Sequence, residues 1–242
     1  MPVLDAVYIG LDPEYPLAYE VCRRSILKYA PDLKVYPVNK VQLRKPRLYQ
    51  RRKEDEQLPD CRYSRFLVPY LHRYNRGYVL YCDSSFFWFD SPRKLEKYID
   101  PDDPVSIVLD EQEKTNKNTD PRQYDYSSKP GCCSLMIFNC NHYSCIGLRP
   151  NDINKRSKEW FHNFQWVERI CHIGSLPAEY QIKIDNNMKE VDPYKRPDKN
   201  HIAVQYTMGG PWMKSCHDRL YTHWWMKYLS WEEKQSIVRG QK

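Results

Sequence analysis

The feature that most constrains this fold is a short apolar run that ends at a single acidic residue. Residues 78–82 (YVLYC) are continuously apolar, which is typical of a strand covered on both faces, and the run stops at Asp83. A helical pattern precedes the run, and Asn75 and Gly77 supply the turn between the two. Because open α/β sheets bind ligands beyond the carboxyl ends of their strands, we expect a ligand crevice at Asp83.

The rest of the chain alternates predicted strands and helices, which indicates the α/β class. Strands are predicted at residues 6–10, 33–38, 104–109, 132–138 and 201–206, and helices at 12–26, 63–74, 92–98, 150–164 and 220–238. Polar loops are expected at about 40–62 and 111–130. The turn after the first strand, GLDPEY, has no glycine-rich phosphate fingerprint, which excludes a Rossmann dinucleotide site and a P-loop.

Several short motifs, in order along the chain, resemble one family. RFLVPYL and GYVLYCDSSFF (65–71 and 77–87), CSLMIFNC (133–140), GSLPAEYQ (174–181) and TMGGPWMK (207–214) resemble small GT-A-fold glycosyltransferases of nucleotide sugars related to glycosyltransferase family 8. The resemblance runs from Ala6 to about Met213. It implies a single GT-A-type domain over residues 1–242, with a Rossmann-like mixed sheet flanked by helices. It also implies transfer of a hexosyl or pentosyl group, with UDP as the expected nucleotide.

The resemblance assigns expected roles to individual residues. Nucleotide contacts fall on Tyr8, Gly10, Asp12, Arg65 and Asp83, and pyrophosphate contacts on Gly209, Gly210 and Lys214. Donor-sugar or acceptor contacts fall on Ser134, Asn139, Gln181 and Trp212. The candidates for catalytic groups are Asp110, Glu168 and His172. Asp12 also has a plain interpretation as the cap of the first helix.

The family's metal site is altered in this sequence. Relatives bind Mn or Mg through two acids of a D-x-D motif and a histidine, whereas here the expected ligands are Asp83, Ser85 and Gln205. Mn and Mg prefer sites with several oxygen ligands that include carboxylates. We therefore expect a weakly held divalent cation, with Arg65 and Lys214 sharing the electrostatic work. Full metal independence is the stronger form of this prediction.

Charge and cysteine content bound the partners and the compartment. The net charge of +7 favours an anionic ligand. No stretch is apolar enough to span a bilayer, and the start MPVLDAVYIG lacks the features of a signal peptide. Nine cysteines and no glycosylation sequon favour a reducing, cytoplasmic location. The expected partners are a nucleotide-sugar donor and a glycan or glycoconjugate acceptor, with no nucleic acid and no integral membrane segment.

Other interpretations remain open at this stage. A zinc site at Cys132, Cys133, Cys140, His142 and Cys145 is disfavoured because the spacing matches no paired-cysteine knuckle. The lost acid and histidine also fit a degenerate homologue that binds a nucleotide sugar without turning it over. The charge and the aromatic residues fit a basic nucleic-acid-binding protein, although no recognition motif appears.

Overall fold

The computed structural model describes residues 2–51, 63–72, 77–108, 133–168, 173–194 and 197–239. The described strands are β1 (Leu4–Leu11), β2 (Lys34–Asn39), β3 (Tyr78–Asp83), β4 (Phe86–Trp88), β5 (Val105–Val108), β6 (Leu135–Asn139), β7 (Gly174–Leu176), β8 (Ile182–Ile184) and β9 (Ala203–Tyr206). The α-helices are α1 (Pro16–Tyr29), α2 (Lys40–Arg44), α3 (Val68–His72), α4 (Tyr143–Gly147), α5 (Pro150–Lys155), α6 (Lys158–His162), α7 (Thr222–Met226) and α8 (Trp231–Arg239). The 3₁₀ helices of the described residues are Ser64–Leu67, Pro92–Tyr98, Ala178–Tyr180 and Lys214–Cys216.

The strands form two sheets. The larger has the order β2-β1-β3-β6-β5-β7, and β6 runs antiparallel to both of its neighbours while the other pairs are parallel. The smaller sheet has the order β4-β9-β8. The predicted mixed sheet with flanking helices is confirmed, and all six predicted strands are present with small changes at their ends.

Three apolar clusters hold these layers together. One lies between one face of the large sheet and the segment around Phe66 and Phe161, and a second packs α1 residues such as Ile26 against the other face. The third joins the small sheet to the C-terminal helices around Trp225. Strand β3 contributes Leu80 to one face and Tyr81 to the other, and both are fully buried. This explains the continuous apolar pattern of the run that ends at Asp83.

Two predicted long helices are each divided in the structure. The helix expected at 150–164 is two helices, α5 and α6, because Arg156 is extended and the Ser157 hydroxyl accepts the N–H of Trp160 at 3.2 Å. The helix expected at 220–238 is likewise α7 and α8. Ser230 and Glu233 form a capping box in which Ser230 Oγ accepts the Glu233 N–H at 3.2 Å and the Glu233 carboxylate accepts the Ser230 N–H at 2.7 Å.

The remaining differences concern shorter segments. The helix expected at 63–74 is a 3₁₀ turn followed by α3, and residues 73–76 lie outside the described part of the chain. The helix expected at 92–98 is a 3₁₀ helix, and the Ser91 side chain caps it by accepting the Arg93 N–H. The GSLPAEYQ segment forms β7 and a 3₁₀ turn because Gly174 to Leu176 pair with β5.

Candidate active site

The carboxyl ends of β1 and β3 lie side by side and form the centre of the candidate site. Gly10 is the register partner of Asp83, and the Ser84 N–H donates to the Gly10 carbonyl at 3.2 Å. A Cβ atom at position 10 would lie 2.4 Å from the Tyr81 hydroxyl, so a side chain there would clash. Glycine at this position therefore leaves room for the Tyr81 hydroxyl, which donates to Asp83 Oδ1 at 2.6 Å.

Asp83 is held in an ion pair with a buried arginine. Arg65 Nη2 lies 3.2 Å from Oδ1 and 3.3 Å from Oδ2 of Asp83, and Arg65 Nη1 also donates to the Cys133 carbonyl. Only 3% of the Arg65 side chain and 14% of the Asp83 side chain are exposed. Two opposite unit charges about 4 Å apart attract by about 4 kcal/mol at an effective dielectric constant near 20. The Asp83 carboxylate is thus neutralised from within the protein.

The two other expected metal ligands adjoin Asp83 but offer weak donors. Ser85 follows Asp83 in the turn to β4, and its carbonyl accepts the Tyr206 N–H at 3.0 Å. Gln205 is the register partner of Phe86, and its buried side-chain oxygen accepts a hydrogen bond from Gln181 Nε2 at 2.9 Å. In the described part of the chain, no three His, Cys, Asp or Glu side chains are grouped so that they could hold a metal ion. A paired carboxylate, a hydroxyl and an occupied amide do not fit a tight Mn or Mg site.

A cavity of about 820 Å³ opens beside this centre, between the turn after β1 and the glycine loop at residues 207–214. We call it the turn–loop cavity. It is lined by Glu14, Tyr15, Pro16, Leu17, Trp212, Met213, Lys214, Ser215, Ser236 and Ile237. The ring centroids of Tyr15 and Trp212 are 6.5 Å apart, so the two segments meet there. Asp83 is not one of the lining residues.

Asp12 shapes the turn that borders this cavity. Its Oδ1 atom accepts the Glu14 N–H at 2.9 Å, and its carbonyl accepts the Tyr15 N–H at 3.0 Å. The helix α1 begins only at Pro16, with Tyr15 as its cap residue. The interpretation of Asp12 as the helix cap is therefore wrong, because the residue forms a separate turn that presents Tyr15.

The two glycines of the glycine loop are required by its close packing. Gly209 has φ +81°, and a Cβ atom there would lie 2.9 Å from the Met213 sulfur. A Cβ atom at Gly210 would lie 2.4 Å from the Trp212 ring. The loop follows β9 directly and carries Lys214, whose side chain is exposed at the wall of the cavity.

Three of the predicted residues are held in place by contacts within the protein. Tyr8 is buried with its hydroxyl 3.2 Å from His72 Nδ1, and burial raises the pKa of Tyr8 and lowers that of His72. Trp212 packs against Tyr206 and Trp225, with ring centroids 5.9 and 6.1 Å away, and so is held in place as part of the wall. Ser134 is buried beside the centre, where its carbonyl accepts the Asp83 N–H at 3.0 Å.

One predicted residue lies at the opposite edge of the sheet. Because β6 runs antiparallel to β3, Asn139 pairs with Tyr78, which is five residues and so about 17 Å from Asp83 at the usual rise per residue. The Asn139 amide donates to the Pro101 carbonyl and accepts the Asn141 N–H. The expected role of Asn139 at the reaction centre is therefore wrong, because β6 places it at the opposite end of the strand from Asp83. Burial lowers the pKa of His142, which the charge of Glu168 partly offsets, and the catalytic role of Glu168 stays a prediction.

Asp110 and His172 lie outside the described residues. The residue that sequence reasoning missed is Tyr15. An aromatic side chain three positions after a turn-forming acid, GLDPEY, was the available signal. Of the predicted set, the structure brings together Gly10, Arg65, Asp83, Ser85 and Ser134 at the carboxyl ends of β1 and β3, and it joins Gln181 to Gln205 in the small sheet. Trp212 and Lys214 line the cavity, whereas Asp12, Gly209 and Gly210 lie in the turn and the loop that border it and are not lining residues.

Comparisons with known proteins identify the fold. No family model matches the chain. The chain is 29% identical over 235 residues to Protein CDI of Arabidopsis thaliana, covering 95% of this chain and 88% of that protein. Among solved structures, the bifunctional glycosyltransferase WbbM has a TM-score of 0.62 at 13% identity. The match covers 100% of this chain and 52% of WbbM, so this chain spans about half of that protein.

Two other solved structures agree with this match. The glycosyltransferase GlyE of Streptococcus pneumoniae has a TM-score of 0.57 at 13% identity, with 99% of this chain and 64% of GlyE covered. The galactosyltransferase LgtC, in complex with donor and acceptor sugar analogues, has a TM-score of 0.53 at 12% identity, with 98% of this chain and 100% of LgtC covered. The chain therefore has the GT-A glycosyltransferase fold.

Proposed function

We propose that this protein is a glycosyltransferase that moves a hexosyl or pentosyl group from a nucleotide sugar to a hydroxyl of a glycan or glycoconjugate. UDP is the nucleotide that we propose for the donor. The observation that carries the proposal is the meeting of three segments at one edge of a GT-A sheet. These segments are the turn after β1, the Asp83 end of β3 and the glycine loop after β9. Ligands of open α/β sheets bind at such an edge.

The turn–loop cavity has the chemistry that a nucleoside diphosphate requires. Tyr15 and Trp212 offer flat rings to a base or ribose, and Trp212 is already held by Trp225. Lys214 places an exposed cation on the same wall. A volume of about 820 Å³ lies within the range of small-molecule sites. We therefore assign the nucleotide to this cavity and the transferred sugar to the side nearer Asp83.

The chemical step requires stabilisation of the negative charge that develops on the leaving diphosphate. We propose that Lys214 and the backbone N–H groups of Gly209 and Gly210 supply this stabilisation, since backbone N–H groups in a glycine loop that follows a strand can bind a phosphate. Asp110 stays as a proposed catalytic group because it is an acid that follows a strand, and His172 and Glu168 stay as proposed general bases because both residue types can accept a proton. Ser134 stays as a proposed sugar contact because its carbonyl accepts the Asp83 N–H, and Gln181 stays as one because it donates to Gln205, an expected ligand of the altered metal site.

The test is a screen of UDP-sugars by thermal shift, followed by a coupled assay for UDP release with the donors that bind. Tyr15→Ala should weaken binding of the best donor about tenfold through loss of the aromatic contact, equivalent to about 1.4 kcal/mol. Tyr194→Ala is the matched control, because Tyr194 is 77% exposed and does not line the cavity. Equal effects of the two substitutions, or no shift with any nucleotide sugar, would contradict the proposal.

One observation favours a second candidate function, a degenerate homologue that binds the donor without transferring it. The remaining acid of the altered D-x-D motif is paired with Arg65. The same assay separates the two candidates. Saturable binding of a UDP-sugar without UDP release, over a panel of glycan acceptors, would identify the degenerate homologue.

We propose a reducing, cytoplasmic compartment. Cys22 and Cys82 are buried thiols with their sulfur atoms 3.8 Å apart, and burial raises the pKa of Cys82 well above its usual value. Such protonated thiols are suited to a compartment that keeps cysteines reduced.

None of the helices in the described ranges has the length and hydropathy needed to cross a bilayer.

A further inference from the structure

We propose that Arg65 occupies the electrostatic role of the divalent cation at the end of β3, so that this protein binds the diphosphate of its ligand without a metal. The inference rests on the nucleotide-binding function proposed above and specifies how that site handles charge. The inference is based on the contacts that the side chains of Arg65, Asp83 and Gln205 make. These contacts cannot be predicted from the sequence alone.

The Asp83 carboxylate already has hydrogen-bond partners from within the protein. Both of its oxygens receive Arg65 Nη2, at 3.2 and 3.3 Å, and Oδ1 also receives the Tyr81 hydroxyl at 2.6 Å. A metal ion that bound this carboxylate would replace or crowd a guanidinium that is already in place. The carboxylate is therefore already bound by Arg65 and Tyr81 in the ligand-free protein.

Arg65 is itself anchored by contacts within the protein. Its Nη1 atom donates to the Cys133 carbonyl, and its side chain is only 3% exposed. The guanidinium also lies over the Tyr81 ring, 5.3 Å from the centroid. A planar guanidinium with fixed partners on both sides is a poor candidate for a group that swings away on ligand binding. The pair should hence persist when the nucleotide binds.

The expected metal ligands, taken together with Arg65, carry no net charge. Asp83 and Arg65 cancel, while Ser85 and Gln205 are neutral, and the Gln205 oxygen already accepts from Gln181. Hard divalent cations are attracted by carboxylate charge, and this set has a net formal charge of zero. The same neutrality removes the repulsion that an unpaired Asp83 would exert on a diphosphate. Lys214, on the cavity wall, then supplies the exposed positive charge.

The test has two arms, each read as binding and not as activity. In the first, MnCl₂ is titrated by calorimetry into the ligand-free protein and into Arg65→Lys and Arg65→Met. In the second, the Kd of UDP is measured in EDTA and again in 1 mM Mn. We expect no Mn binding by the wild type or by Arg65→Lys, and a UDP Kd that differs less than twofold between the two buffers. Arg65→Met should bind Mn and should bind UDP at least tenfold more tightly when Mn is present.

The wild-type protein decides the matter even if Arg65→Met does not fold. Micromolar Mn binding by the ligand-free wild type, or a UDP Kd at least tenfold tighter with Mn, overturns the inference. Ser85→Asp adds the missing carboxylate on a partly exposed turn without altering the buried pair, and it should make UDP binding respond to Mn. A third outcome is possible, in which UDP binds in neither buffer, the wild type does not bind Mn and Arg65→Met binds Mn. This outcome would support the inference on Arg65 and would contradict the proposed nucleotide function.

Discussion

Two cations near the candidate site are held in opposite ways. Arg65 is buried beneath the end of β3, with both oxygens of Asp83 and the Cys133 carbonyl as partners. Lys214 lies on the wall of the turn–loop cavity with its side chain exposed. The first charge is used within the protein, and the second is available to a ligand. Whether a positive charge beside a site contributes to folding or to binding therefore depends on its burial and its partners.

This difference separates two kinds of mutational effect. Removing one partner of a buried pair leaves the other charge without compensation, which lowers the free energy of unfolding. Removing an exposed lysine leaves the fold intact and weakens attraction to an anion. Measurements of stability and of UDP affinity should therefore rank the residues in different orders.

The largest expected effect is that of Asp83→Ala on stability. The substitution leaves the Arg65 guanidinium buried without its carboxylate, which should cost about 3 kcal/mol. For a chain of 242 residues this corresponds to a fall in Tm of roughly 6–12 °C in calorimetry or circular dichroism. Asp32→Ala is the matched control, because its pair with Arg93 is exposed, and it should shift Tm by no more than about 2 °C. Similar shifts for both would mean that the Arg65–Asp83 pair is not a structural element.

Five of the six predicted strands could be found from the sequence because they are largely buried on both faces, whereas the outer strand β2 is mostly exposed. In β3 the residues of both faces are apolar, so its position and its end at Asp83 follow from composition alone. Helix boundaries were less predictable. Ser157 and Ser230 each start a new helix within a segment whose apolar spacing continues across the break.

The site was predictable only in part, because strand direction is not encoded locally. CSLMIFNC predicts a strand equally well in either direction, and the antiparallel direction of β6 puts Ser134 beside Asp83 and Asn139 at the far edge. The Arg65–Asp83 pair joins residues 18 positions apart through a helical turn and a strand, so no spacing rule indicates it. The importance of Tyr15 likewise depends on the glycine loop, which is about 200 residues away in the chain.

The second expected effect is that of Lys214→Met on affinity. Loss of this exposed cation should weaken UDP binding about tenfold in low salt by calorimetry, with less loss at 0.5 M NaCl because salt screens the attraction. The Tm of the ligand-free protein should change by no more than about 1 °C, in contrast to Asp83→Ala. Lys155→Met is the matched control, since Lys155 is exposed on α5 away from the cavity. If both variants bind UDP equally well, the positive charge of the site comes from elsewhere.

The smallest expected effect tests a pair that is intermediate between Arg65 and Lys214 in exposure. Arg24 donates to both oxygens of Glu233 at 2.7 Å, and this pair fastens α8, which supplies Ser236 and Ile237 to the cavity wall, to α1. The Arg24 and Glu233 side chains are 35% and 22% exposed. Glu233→Gln should keep the capping box with Ser230, because glutamine fills the same role, and should remove only the charge. We expect Tm to fall by about 1–3 °C and UDP affinity to change less than twofold.

The pH dependence of this last variant gives the sharpest check. The hydrogen bonds from Arg24 lower the pKa of Glu233, so the carboxylate contributes stability above its unfolded pKa, and this contribution is lost as the pH falls through the lower folded pKa. The difference in Tm between wild type and Glu233→Gln should thus be full at pH 7, should begin to fall near the unfolded pKa of about 4.3, and should disappear only below the lower folded pKa. A difference that persists unchanged at low pH would mean that packing and not charge joins α8 to α1. The Arg24–Glu233 pair would then not support the conclusion that the effect of removing a charge depends on the burial and the partners of the cation.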